Sequence, residues 1–201
     1  MLTRWARRRS RRGEDRGAVA VEAALITPLL LLLVFGIIEF SFAFKDDLAV
    51  SAAVRAGARA GSAEPGQPSF ATDTAAAVAR AGGALNLSSA TLYVYDAGGG
   101  GPTDPVQTFN SSNAGFCGGV QNACNEYTWN ASTSSFQLAS PENFTIKNIS
   151  NCPNAYKQNA IGVYMSYRHD FLTGFLPFGK SVTLSDNAVV SFEPVPNVAP
   201  C

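Results

Sequence analysis

The chain reads as an α+β protein, in which a long N-terminal helix leads into a small domain built from a second helix and an antiparallel sheet. Three observations predict this. Residues 18–44 carry no charged side chain other than Glu22 and Glu39, and the alanine-rich stretch 49–63 prolongs the helical pattern until EPGQP (64–68) ends it. Aromatic and β-branched runs then return at 90–97, 144–149, 161–171 and 180–193, separated by turn-forming residues. At 201 residues the chain has room for one modest domain beside such a helix, on a scale of about 100–200 residues per domain.

Taken in order, residues 1–17 form a basic leader. Seven arginines (Arg4, Arg7, Arg8, Arg9, Arg11, Arg12, Arg16) against Glu14 and Asp15 give +5, and the remaining chain, with 8 basic and 13 acidic residues, is −5. A basic cluster can bind nucleic acid, but one placed directly before an apolar helix is a topology signal that holds the N-terminus in the cytoplasm; no nucleic-acid partner is expected. The 27 residues from 18 to 44 would measure about 40 Å as a helix. That crosses a hydrocarbon core of about 30 Å with some tilt. The expected arrangement is therefore single-pass in the cytoplasmic membrane, with residues 64–201 as an extracytoplasmic domain.

The helix should run from 18 to 63, its second half presenting a small-residue face for close packing. Arg55 and Arg59, one turn apart, either meet an acidic partner or line a solvated face. Pro65 and Pro68 remove backbone donors and Gly66 loosens the chain, so the helix stops there. A second helix is expected over 72–86, capped by Thr72 or Asp73 and ending near Gly82 and Gly83.

ATLYVYDA (90–97) reads as a strand from its aromatic and β-branched content, although its alternation is poor. From 98 to 141 the composition turns to Gly, Ser, Asn, Thr and Pro, and the segment is expected to be one long loop. FTIKNI, IGVYMSYRHDF and KSVTLSDNAVVSFE supply further strands, the last with a break near Asp186. TGFLPFG between the final two is expected as a hairpin connection with an apolar tip. All four cysteines (Cys117, Cys124, Cys152, Cys201) follow the span, on the side where oxidation is permitted, and an even number favours two disulfides. Cys117 with Cys124 and Cys152 with Cys201 is the favoured pairing. A tetrahedral zinc site would need CxxC or His spacing that is absent.

One order of residues stands apart. A secretory signal places its small-residue cleavage site after the apolar stretch; here Gly17 precedes it, and Glu22 lies just inside. An unpaired carboxylate in a bilayer helix costs about 2.5 kcal/mol or more. A cut between Gly17 and Ala18 would keep the apolar helix on the mature chain and set the new Ala18 amine four residues from Glu22, where the two charges can neutralise each other. Glycine before the scissile bond leaves no side chain to obstruct a protease. The residues also allow a plainer reading, in which Glu22 snorkels to the cytoplasmic interface.

This order is that of a type IV prepilin leader, and the string RGAVAVEAALITPLLLLLVFGIIEFSFAF resembles the N-terminal region of TadE-like proteins at Gly17, Glu22, Pro28, Gly36, Glu39 and Phe40. These are minor pilins or pseudopilins of tight-adherence (Flp-type) pilus systems. The resemblance spans residues 16–63, weakens over KSVTLSDNAVVSFEP and is absent over 98–141. It departs from the family at Ala23, where an aromatic residue usually follows the acidic one. The resemblance implies a non-enzymatic subunit of an adhesive pilus, cut by prepilin peptidase with Gly17, Ala18 and Glu22 as recognition elements. It further implies that Glu22 pairs with the amine of a neighbouring subunit, that Pro28, Gly36 and Glu39 serve helix packing, and that the partners are the peptidase, other pilin-like subunits, the assembly platform and membrane lipid. Glu39, separated from Glu22 by 16 residues, equally suits the outer headgroups, and bilayer helices tolerate Pro28 and Gly36 without a packing role.

Catalytic constellations are sparse. No nucleophile elbow, Walker loop or HExxH motif occurs, and no cofactor is expected. His169 and Asp170 are strand neighbours and point to opposite faces, which argues against a triad or metal site. The sequons at Asn86, Asn110, Asn130, Asn143 and Asn148 fit a glycosylated surface or chance in an Asn/Ser-rich stretch. The rival reading is a single-pass signal-anchored protein with an external binding or sensing domain. A secreted hydrolase with a conventional leader finds no cleavage site close behind Phe44.

Overall fold

The computed structural model describes residues 14–64, 67–98, 109, 124–139, 141–145, 151–152, 157–158, 160–173 and 179–192. Helix α1 (Glu14–Ser62) is unbroken for 49 residues and passes through Pro28. Its side chains are exposed from Gly17 to Val34, and the first buried one is Glu39; from there a stripe at Asp46, Val50, Ala53, Val54, Gly57, Ala58 and Gly61 faces the domain. That spacing of three and four is the single packed face of an amphipathic helix. The helix is therefore bare over its first half and docked over its second.

Helix α2 (Phe70–Ala81) begins two residues before the expected caps at Thr72 or Asp73. The wholly buried Phe70, held edge-on by Phe144 at 5.0 Å, anchors its start, so tertiary packing rather than a side-chain cap fixes the boundary. Its end is a glycine, Gly82, as the sequence indicates. Against α2, α1 offers Gly57 and Gly61: a methyl group on Gly57 would lie 2.4 Å from Val78 Cγ2, and one on Gly61 would lie 2.2 Å from Thr74 Oγ1. The small-residue face thus brings the two helices together within the chain.

After a short 3₁₀ turn (Leu87–Ser89), five strands form an antiparallel sheet in the order β3-β2-β1-β6-β7: β1 (Ala90–Gly98), β2 (Cys124–Asn130), β3 (Ser135–Leu138), β6 (Ala160–Asp170) and β7 (Ser181–Ser191). β4 (Asn151–Cys152) and β5 (Lys157–Gln158) pair separately. The helices cover one face, where Val50, Val54, Phe70 and Val78 meet Leu92, Val94, Ile161, Val163 and Met165. Burying each such side chain contributes about 1.5–3 kcal/mol before ordering costs. On the other face Tyr93, Tyr95 and Tyr164 gather around Phe109, whose ring stacks on Tyr164 at 4.2 Å. Burial on both faces explains why β1 alternates poorly. Gly162 lies directly beneath the ring of its cross-strand partner Tyr95, where a methyl group would come within 2.1 Å of Cζ.

Three expectations are corrected. Residues 98–141 are not one loop, because β2 and β3 within them form a hairpin that joins the main sheet, turned by Ala131–Ser134 and closed by the Trp129–Phe136 pair at 5.3 Å. Asn130 Oδ1 accepts the Ser132 N–H at 2.9 Å, so the Asn- and Ser-rich composition here marks a tight turn. β7 has no break at Asp186, whose carboxylate accepts a hydrogen bond from Ser51 on α1 at 2.6 Å. Phe144 and Thr145 lie outside any strand, and Asn125 holds the segment by accepting the Asn143 and Phe144 N–H groups at 2.8 Å each; residues 146–149 lie outside the described residues.

Candidate functional site at the helix–sheet junction

Two features of α1 bear on function: its exposed apolar half and the junction where the domain takes hold. Gly17, Ala18, Glu22 and Pro28 are exposed, and a methyl group on Gly17 or Gly36 would meet nothing within 4 Å. Among the described residues no other segment packs against Gly17, Ala18, Glu22 or Pro28. The Gly17–Ala18 bond lies in the first turn of α1, which starts at Glu14. The leading N–H groups of a helix lack intrahelical partners, so this turn opens at little cost.

The junction begins at Glu39. Its carboxylate accepts the Leu172 N–H at 3.0 Å, the Thr173 hydroxyl at 2.6 Å and the Thr173 N–H. A glutamate within an apolar run is thereby satisfied inside its own chain by the turn that follows β6. Phe171 N–H donates to Lys180 O at 2.9 Å, closing the ends of the β6–β7 connection expected as a hairpin.

Two turns further on, Asp46 meets the same strand. Its Oδ2 lies 2.8 Å from His169 Nδ1 and 3.3 Å from the Tyr167 hydroxyl, which donates to it. His169 is 5% exposed, and its Nε2 has no partner among the described residues. Asp170 points outward and pairs with Arg168 at 3.1 Å, so the opposite-face reading of His169 and Asp170 holds. Lys45, 3.8 Å from Asp46, and Arg168 border a cavity of about 390 Å³ beside this pair. On the other flank of α1 a smaller apolar groove of about 220 Å³ is lined by Phe40, Ala43, Phe44, Phe171, Val182 and Leu184. Among the described residues, no group of three His, Cys, Asp or Glu side chains could hold a metal ion.

Sequence reasoning overlooked Asp46, Thr173, Ser51 and Asp186. Each is an ordinary polar residue whose partner lies more than a hundred positions away, and no local pattern marks such pairs. Arg55 and Arg59 lie exposed on α1. Cys124 is buried at the start of β2 and carries no free thiol. Cys117 and Cys201 lie outside the described residues, and Cys152 closes β4. Of the sequon asparagines, Asn86, Asn130 and Asn143 are exposed, whereas Asn110 and Asn148 lie outside the described residues.

On the face opposite the helices the tyrosines resist ionisation. Burial pushes Tyr93 up to about 12, with the neighbouring Glu126 carboxylate adding to the effect. Burial likewise pushes Tyr95 up to about 12 despite the Phe109 N–H donated to its oxygen at 3.1 Å. On the helix-covered face, Tyr127 is raised by burial, and Tyr167 by burial and then by Asp46.

The bare helix with Gly17 and Glu22 at its head is the segment that known families resolve. Residues 17–59 match the family model of TadE-like proteins. The TadE-like segment thus takes in the whole exposed apolar run, Glu39, Asp46 and the first glycine of the α1–α2 contact, and it stops short of α2 and the sheet. No curated protein and no solved structure matches the chain. By length and composition α1 is able to cross a membrane, and its most apolar window is wholly unburied.

Proposed function

We propose that this protein is a pilin-like subunit of a tight-adherence (Flp-type) pilus. Prepilin peptidase cuts it between Gly17 and Ala18, and α1 then packs with other pilin-like helices during assembly of an adhesive filament. In this reading the N-terminus faces the cytoplasm, α1 crosses the cytoplasmic membrane once, and the disulfide-bearing domain is extracytoplasmic. The chain is a substrate of the peptidase and a structural part of the pilus rather than an enzyme.

The observation that carries this reading is a coincidence on one helix. The TadE-like match over 17–59 falls on a segment whose apolar side chains, from Val19 to Val34, are all exposed among the described residues. Glu22 sits at the head of that segment, exposed and four residues from the Ala18 nitrogen that cleavage would free. A carboxylate entering lipid needs a cation, and a neighbouring subunit's new amine supplies one. Glu39, by contrast, is satisfied by its own domain, so of the two glutamates it is Glu22 that needs a partner from another chain.

Intact mass and N-terminal sequencing of the membrane-extracted protein test the proposal. Expressed with its peptidase, the chain should begin at Ala18. A chain that still begins at Met1 or Leu2 under those conditions overturns it.

A further inference from the structure

We propose that Asp186 is an autoinhibitory contact: its carboxylate closes the free edge of the sheet against pairing with β7 of a second copy, and Ser51 on α1 holds it in that position. The inference stands on the sheet alone and does not rest on the proposed function.

The sheet has two edges of unlike length. β3, at one end, is 4 residues long. β7, at the other, runs for 11 residues, pairs with β6 in a register without a bulge, and contains no lysine, proline or glycine. Short strands, bulges, lysine and proline are common means of preventing edge-to-edge association, and β7 has none of them.

The register shows which of its backbone groups are free. Phe171 N–H donates to Lys180 O at 2.9 Å, so that pair is hydrogen-bonded, and hydrogen-bonded and non-hydrogen-bonded pairs alternate along an antiparallel ladder. Continued along β6 and β7, this makes the even-numbered residues from Val182 to Val190 bond to β6. The N–H and C=O groups of Ser181, Thr183, Ser185, Asn187, Val189 and Ser191 then point away from it. Among the described residues no strand pairs with that outer row, and Ser181, Thr183, Ser185 and Ser191 are exposed. Near its middle, however, the Asn187 N–H is occupied, because Asp186 Oδ1 accepts it at 2.7 Å. The other oxygen, Oδ2, accepts the Ser51 hydroxyl at 2.6 Å. One side chain thus covers an edge donor and is itself fixed by α1.

The occupant kept out is a second β7, because the strand is complementary to itself. Two copies laid antiparallel in full register set Ser181 against Ser191, Thr183 against Val189 and Ser185 against Asn187, all residues with outward backbone groups, about a midpoint at Asp186. Asp186 opposes that arrangement twice. It holds the Asn187 N–H that the pairing needs, and it would face its own copy in a non-hydrogen-bonded pair, where side chains stand closest and like charges repel.

Two measurements on the full chain in detergent micelles test the lock. In hydrogen exchange, the Asn187 amide should exchange about tenfold more slowly than the outward amides of Thr183 and Ser185, the factor that one hydrogen bond to a charged group supplies. Equal rates would overturn the cap, and an unchanged Asn187 rate in Ser51→Ala would overturn the part given to α1. In light scattering, Asp186→Ala should form a dimer that grows with protein concentration where the unaltered chain does not. Adding Ser185→Pro should abolish that dimer, since proline there removes an outward donor and no bond to β6. A folded Asp186→Ala that associates no more than the unaltered chain overturns the proposal, and so does a dimer that persists with Ser185→Pro, which would lie on another surface. Should Asp186→Ala not fold, the exchange rates of the unaltered chain decide. Neither measurement involves cleavage or filament entry, so failure here leaves the proposed function standing.

Discussion

Asp46 Oδ2 lies 2.8 Å from His169 Nδ1 across 123 residues of chain, which ties the helix bearing the apolar run to the central strand next to the sheet edge. The pair is nearly closed to solvent, with side-chain exposures of 12% and 7%, and Tyr167 converges on the same oxygen. Asp46→Ala should leave two buried donors unsatisfied and destabilise the domain by about 1–3 kcal/mol. Urea unfolding in detergent micelles checks this; an unchanged midpoint would show that the junction does not depend on the pair.

The glycines of α1 divide into two groups. Gly57 and Gly61 touch α2, so Gly61→Val should overpack the helix pair and cost about 1–3 kcal/mol. Gly36 has open space around it, so Gly36→Ala should leave the isolated subunit no less stable, helix propensity favouring alanine by about 0.5–1 kcal/mol. Thermal unfolding of both variants tests the contrast, and equal effects at the two sites would contradict the packing described.

Tyr93 and Tyr95 titrate near 12 in the folded chain rather than at the ordinary value of 10.0. A raised folded value means that the folded state keeps a proton which the unfolded chain has already lost. The stability these tyrosines provide is therefore complete below pH 10 and is lost as the pH climbs towards 12. Phenolate absorbance should show these two tyrosines ionising together with unfolding, and Tyr95→Phe should remove part of the alkaline loss. Ionisation of both near pH 10 in a still-folded protein would contradict their burial.

Glu22 is exposed and makes no hydrogen bond or ion pair among the described residues, so Glu22→Leu should fold and insert normally. Under the proposed function the same variant should fail to enter shearable filaments, and Glu22→Asp should recover assembly in part. Counting subunits in sheared and membrane fractions decides it. Indifference of assembly to Glu22→Leu would favour an anchored external domain whose glutamate is incidental.

The parts of this protein that were legible in its sequence are those that local chemistry decides. The unbroken α1, its small-residue face, the glycine end of α2 and the strands at β1, β6 and β7 all follow from composition and spacing within one element. The β2–β3 hairpin was not legible, because Asn130 and Ser132 belong equally to a loop and to the tight turn that lets Trp129 meet Phe136. The start of α2 was misplaced because Phe144, far along the chain, holds Phe70 at its first turn.

By itself, the sequence determined that a helix able to span a membrane leads the chain, with Gly17 and Glu22 at its head, because a long apolar run and the placement of charge need no partner to have their effect. Only the tertiary structure decided where that helix stops being bare. Glu39 and Asp46 became the fixing points of the domain when Leu172, Thr173, Tyr167 and His169 arrived beside them from more than 120 residues away. A carboxylate at the edge of an apolar run must find donors, and which donors it finds depends on the path of the chain through space.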